Sequence, residues 1–107
     1  MSKKTLREHL SVDIDYVLDW VLREKIPNKA NFLDDLAVIF EDKNEKEHIR
    51  HNALEVFQLI ARDVQMPNMS SLVQRLILLG RDQKESDGIR AGAQAARAAC
   101  LWDRATT

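Results

Sequence analysis

The 107-residue chain is 45% hydrophobic and 31% charged, the profile of a folded globular domain and not of a disordered one. Sixteen Lys and Arg against seventeen Asp and Glu leave a formal charge of −1, and this balance speaks against non-specific attraction to nucleic acid or anionic lipid, which needs a basic surplus. The single Cys100 excludes an internal disulfide, and a cytoplasmic location is the expectation.

In chain order, Met1-Ser2-Lys3-Lys4-Thr5 has no apolar stretch behind its lysines, so no signal sequence is expected. Thr5-x-x-Glu8 is a capping box that predicts a short opening turn over 5–10, with Leu6 and Leu10 available to roof the next helix. Ser11 then serves as a cap for a helix over 12–26, whose face reads Ile14, Val17, Leu18, Val21, Leu22. Trp20 and Tyr16 share one stripe, and Trp20 is assigned to the core. Asn31, with Asp34 three residues on, starts a helix over 31–41 that carries Phe32, Leu33, Leu36, Ala37 and Ile39. Asn44-x-x-Glu47 opens a helix over 45–64 with the stripe Ile49, Ala53, Val56, Phe57, Ile60. Ser71-x-x-Gln74 opens one over 71–80, in which Leu76–Leu79 is the longest aliphatic run and far too short to span a bilayer. Ser86 caps the last helix, 87–103, with the stripe Ile89, Ala93, Ala96, Cys100 and Leu101 beside it. Only three Gly and two Pro interrupt the chain, and no strand is expected.

Two of these segments repeat. Pro27-Asn28 returns as Pro67-Asn68 and Ile49-Arg50 as Ile89-Arg90, both at an offset of 40. The same offset matches Leu36 with Leu76, Asp42 with Asp82, Glu45 with Glu85, Ala53 with Ala93 and Asp63 with Asp103. It also places Tyr16, Val17 and Trp20 on Val56, Phe57 and Ile60, so 12–26 reads as the second helix of an incomplete preceding unit.

A tandem helix pair near 40 residues, with an apolar-Arg dipeptide early in its second helix, resembles the HEAT-repeat family and its armadillo relatives. Ile49-Arg50, Ile89-Arg90, Asp42, Asp82, Pro27 and Pro67 carry the resemblance, which covers about 11–104. The acidic-Pro turn usual between the paired helices of that family is absent. The resemblance implies an all-α chain, a short α-solenoid of helix pairs; the alternative is a compact five- to six-helix bundle. One helical domain over 1–107 is expected: 5–26 as N-terminal cap and half repeat, 27–64 as repeat 1 and 67–104 as repeat 2. No helix pair buries its apolar face alone, so the units must stack.

No glycine-rich phosphate loop, G-x-S-x-G elbow, H-E-x-x-H or C-x-x-C is present, and the carboxylates fall on polar helix faces, so catalysis is not expected. His48 and His51 beside Glu47 fall short of the three or four ligands zinc needs. No metal or other cofactor is expected. Cys100 on the apolar stripe reads as a buried, inert thiol.

The expected function is that of a non-catalytic protein-binding module, such as a small adaptor, inhibitor or immunity-type protein, presenting the row of its second helices. The outward positions there are Arg50, His51, Glu55, Gln58, Arg62, Arg90, Gln94 and Arg97, with Leu101 and Trp102 as apolar anchors at the end. For Arg50 and Arg90 two readings stand side by side: a carboxylate clamp for a partner, or an inter-repeat ladder to Asp42, Asp82 or a helix-end carbonyl. For the alanines between Ala91 and Ala99 the choice is close packing against 72–80 or a smooth face that receives a partner's helix. The end of the last helix, with Leu101 and Trp102, is expected to be covered by the natural partner or, in a homodimer through this helix, by a second copy. The alternative function is HEAT-like nucleic-acid binding, on the five basic against four acidic residues of 81–107.

Overall fold

The computed structural model describes residues 3–12, 14–23, 29–61 and 69–100. They form six helices: α1 (Lys3–Val12), α2 (Ile14–Arg23), α3 (Lys29–Glu41), α4 (Glu47–Ala61), α5 (Met69–Arg81) and α6 (Asp87–Cys100), with no strand among them. The chain is all-α, and its principal extents of 37 × 36 × 19 Å make it about two helices thick in the short direction. None of the described helices is long and apolar enough to cross a membrane.

Helix α4 is central. It packs against α1, α2, α3 and α6, while α5 pairs with α6. Phe57, fully buried on α4, meets Phe40 of α3 edge to face with ring centroids 5.6 Å apart, the geometry aromatic quadrupoles prefer. Around them lie Leu33, Leu36, Ile39, Ala53 and Val56, all without solvent exposure. These are the positions the helical stripes of 31–41 and 45–64 put inward.

The loops joining α3 to α4 and α5 to α6 have one chemistry. The amide of Asp42 donates to the carbonyl of Ile39 at 3.2 Å, and that of Asp82 to Leu79 at 3.3 Å. Glu45 and Glu85 then donate back to the carbonyls of Asp42 and Asp82 at 3.1 and 3.0 Å. The Asp42 and Asp82 carboxylates each accept the amide two residues on, from Asn44 and Lys84, at 2.9 Å. Short acidic side chains suit this turn because they can fold back onto their own backbone. Helices α3 and α5 end, and α4 and α6 begin, at positions offset by 40.

Several expected caps fall elsewhere. Asn31 and Ser71 lie inside α3 and α5, which start two residues earlier, at Lys29 and Met69. Asn44 gives its amide to the Asp42 turn, so Lys46 stands at the head of α4, its carbonyl taking the Arg50 amide at 3.1 Å. Ser86 does cap α6, its Oγ accepting the Ile89 amide at 3.3 Å. The acidic Glu47 and Asp87 in the first turns of α4 and α6 complement the helix dipoles.

The N-terminal region also differs from its expected form. Ser11 is not the cap of a helix over 12–26: its hydroxyl donates to the Glu8 carbonyl at 2.7 Å, inside an α1 that runs on to Val12. Buried Leu6 and Leu10 roof the molecule as expected, and the Leu10 carbonyl accepts from Asn52 Nδ2 of α4 at 2.7 Å. On α2, Val17 is buried and Trp20 packs against Phe32, but Tyr16 is 49% exposed and stacks on His9. Tyr16 therefore does not occupy the environment of Val56, with which the offset aligns it. It is α1 that sends an arginine, Arg7, to the turn glutamate Glu45 at 2.9 Å.

Candidate functional site

Arg50 is not a surface residue. It is 6% exposed, and all three of its guanidinium nitrogens are engaged inside the molecule. Nε donates to the carbonyl of Phe40 at 2.9 Å, NH1 to Glu85 Oε1 at 3.2 Å, and NH2 to Glu85 Oε2. This corrects its placement among the partner-binding candidates and selects the ladder reading. The physical reason is that α6 lies across that side of α4, so the outward edge of α4 is narrower than the helical pattern implies. Lys43 adds ion pairs to Asp82 at 2.7 Å and Glu85 at 3.2 Å, and Arg75 of α5 pairs with Glu41 of α3. Arg50 first, then Lys43, hold the Glu85 carboxyl below its ordinary pKa, overriding the opposing effect of burial.

The outward edge that remains on α4 carries His51, Glu55 and Gln58. Together with Ala91, Gly92 and Ala95 of α6 they line an open groove of about 320 Å³. Positions 51 and 91, and 55 and 95, are equivalent under the 40-residue offset. One wall is thus built of long polar side chains and the other of methyl groups and backbone. The two helices come this close because Gly92 has no Cβ: one built there would stand 3.1 Å from Leu54 Cδ1. The small residues of α6 therefore serve packing against α4, and on the α5 side a Cβ built on Gly80 would stand 3.2 Å from Gln94 Cγ and 3.8 Å from Ala93 Cβ. Ala93, Ala96 and Ala99 are buried, while Ala91 and Ala98 face solvent.

Arg90, Gln94 and Arg97 occupy the opposite edge of α6. Gln94 and Arg97, with Leu76, Ile77, Gly80 and Arg81, line a second, smaller groove of about 160 Å³. Its counterpart in the first hairpin is filled: Phe40 and Phe57 stand where Gly80 and Arg97 stand here. Arg81 enters the sequence analysis only as one of the five basic residues of 81–107, and neither Gly80 nor Glu85 as the partner of Arg50 is anticipated there. For Glu85 the signal existed, since it matches Glu45 at the offset of 40. Arg62, Leu101 and Trp102 lie outside the described residues.

Cys100 is half-buried, and desolvation pushes its thiol up to about 11. His48 and His51 are exposed, and the described residues contain no group of three or more His, Cys, Asp or Glu placed to hold a metal ion. No protein-family model, curated protein or solved structure matches the chain.

Proposed function

We propose that the chain is a non-catalytic protein-binding module, a short HEAT-like stack whose second helices, α4 and α6, present the groove between them to a partner helix or extended segment. The observation that carries this reading is the asymmetry of that groove. A floor of Ala91, Gly92 and Ala95 admits a partner backbone to close range, while His51, Glu55 and Gln58 offer both donors and acceptors along one rim. Mixed polar chemistry beside small apolar residues suits a protein surface better than a row of phosphates. The stacked reading is supported by the matching hairpin loops and by the pairing of Arg50 with the next hairpin's Glu85.

The test is capture from the native host with the full chain, wild type against Ala95→Arg. Ala95 is only partly buried, so a long side chain there fills the groove without entering the core. A partner that wild type retains and Ala95→Arg loses, with unchanged thermal melting, is the expected result. Retention of the same partner by both proteins, or its removal by nuclease, would overturn the reading.

A further inference from the structure

We propose that the open end of the second hairpin docks an acidic segment of another protein, whose carboxylate takes Arg90 as Glu85 takes Arg50. This surface is the edge of α6 away from the α4–α6 groove, so it stands or falls separately from the groove.

The proposal grows from one internal comparison. In the first hairpin, Arg50 and Glu41 pair with Glu85 and Arg75 of the second, and Leu54 lies under Gly92. The equivalent positions of the second hairpin are Arg90, Arg81 and Gln94; Arg81 and Gln94 are exposed and Arg90 is partly so. Arg97 stands where Phe57 is buried, so this edge is not a second apolar interface left bare. Arg81 and Arg97 line a groove of about 160 Å³ there, and Arg90 precedes Gln94 and Arg97 along the same edge of α6. Within the described residues no carboxylate pairs with Arg81 or Arg97.

Arg90 is held in a poorer arrangement than Arg50. Its Nε is buried with no hydrogen-bond partner. Its NH1 reaches Gln83 Oε1 only at 3.4 Å, and NH2 rests on Asp87, a side chain 95% exposed and three residues away on the same helix. The acceptor Arg50 uses, the carbonyl of Phe40, has its equivalent in Gly80. There Gln94 Nε2 sits in place of an arginine, at a long 3.4 Å. In the proposed bound state Arg90 takes the pose in which Arg50 holds a carboxylate with two parallel bonds, its Nε replacing Gln94 on that carbonyl. An orphan buried donor, one long contact and one solvent-exposed ion pair mean that little is lost when Arg90 leaves its present partners.

The charge pattern sets the occupant's chemistry. Where the first hairpin offers Glu41 and receives Arg75, the second offers Arg81, so the occupant is acidic on both flanks. A carboxylate fits better than a nucleic-acid backbone because Glu85 already fills the equivalent site, and because the chain's formal charge of −1 opposes a polyanion.

The test uses the full chain, isotopically labelled, with the arginine Nε–Hε resonances followed while hexaglutamate peptide is added. Saturable shifts at Arg90 and Arg97, with Arg7 and Arg75 unmoved, are expected. Arg90→Gln should weaken binding by about tenfold or more, and Arg90→Lys should fail to restore it because an ammonium has no fork. Both variants are read only against an unchanged melting midpoint, and the wild-type shifts stand without them. An unmoved Arg90 resonance, or full binding by Arg90→Lys, overturns the proposal. So does tighter binding of a short DNA duplex at the same residues. It also fails if Arg90 shifts with protein concentration alone, which would make the occupant a second copy, or on Asp103→Asn without peptide, which would make it the chain's own tail.

Discussion

Arg50 of α4 and Glu85 of the α5–α6 loop form a buried, two-pronged ion pair that ties the second hairpin to the first. The two side chains are each 7% exposed, and the Phe40 carbonyl at the end of α3 completes the arrangement. Removing one partner leaves a buried charge uncompensated. Arg50→Ala and Glu85→Ala are each expected to destabilise the fold by about 3–5 kcal/mol. The double substitution should cost less than the sum of the two, because it leaves no charge stranded. Urea melts of the three variants measure this, and strictly additive losses would refute the pairing as the main source.

Acid should dissolve the same link. The Glu85 carboxyl is held below its ordinary 4.5, by Arg50 first and Lys43 next. Its folded value lies below its unfolded one, so the stabilisation is complete above about pH 4.5 and fades as pH falls through the folded value. Asp82, drawn down chiefly by Lys43, acts in the same direction. The stability gap between wild type and Glu85→Gln should therefore narrow between about pH 5 and about pH 3. A gap that stays constant over that range would show that ionisation of Glu85 is not what stabilises the loop.

Phe57 is the centre of the core, fully buried and in edge-to-face contact with Phe40. Phe57→Ala is expected to cost about 3–5 kcal/mol, the sum of lost transfer energy and the cavity left behind. A denaturant melt showing less than about 1 kcal/mol would mean the core closes around the missing ring.

Cys100 should be slow to react. With its thiol near 11, the thiolate fraction at about pH 8 is on the order of a hundredfold below that of a free cysteine. Labelling with a thiol-specific disulfide reagent should be correspondingly slow in the folded protein and fast in denaturant. Equal rates in the two states would contradict a half-buried thiol.

Much of the fold was legible because helix formation is written in short-range pattern. Phe32, Leu33, Leu36 and Ile39, and then Ile49, Ala53, Val56, Phe57 and Ile60, are inward-facing by spacing alone, and all are buried. The Ser86 cap was legible for the same reason, since donor and acceptor are three residues apart. The caps assigned to Asn31, Asn44 and Ser71 were misplaced because the helices start earlier or because Asp42 competes for the amide. Local signals of similar strength do not rank themselves.

What the sequence by itself determined is an all-α chain, the inward stripes of α3 to α6, and a set of matching residues 40 positions apart. Only the tertiary structure decided which equivalent positions have equivalent surroundings. Arg50 and Arg90 sit in the same dipeptide, yet one is clamped on Glu85 and the other rests on exposed Asp87 with its Nε unpaired. Tyr16 and Val56 align, yet one is half exposed and the other sealed. The reason is that helical period fixes the direction a side chain takes from its own axis, whereas burial depends on whether another helix lies in that direction. The second hairpin covers the first, and no described element covers the second.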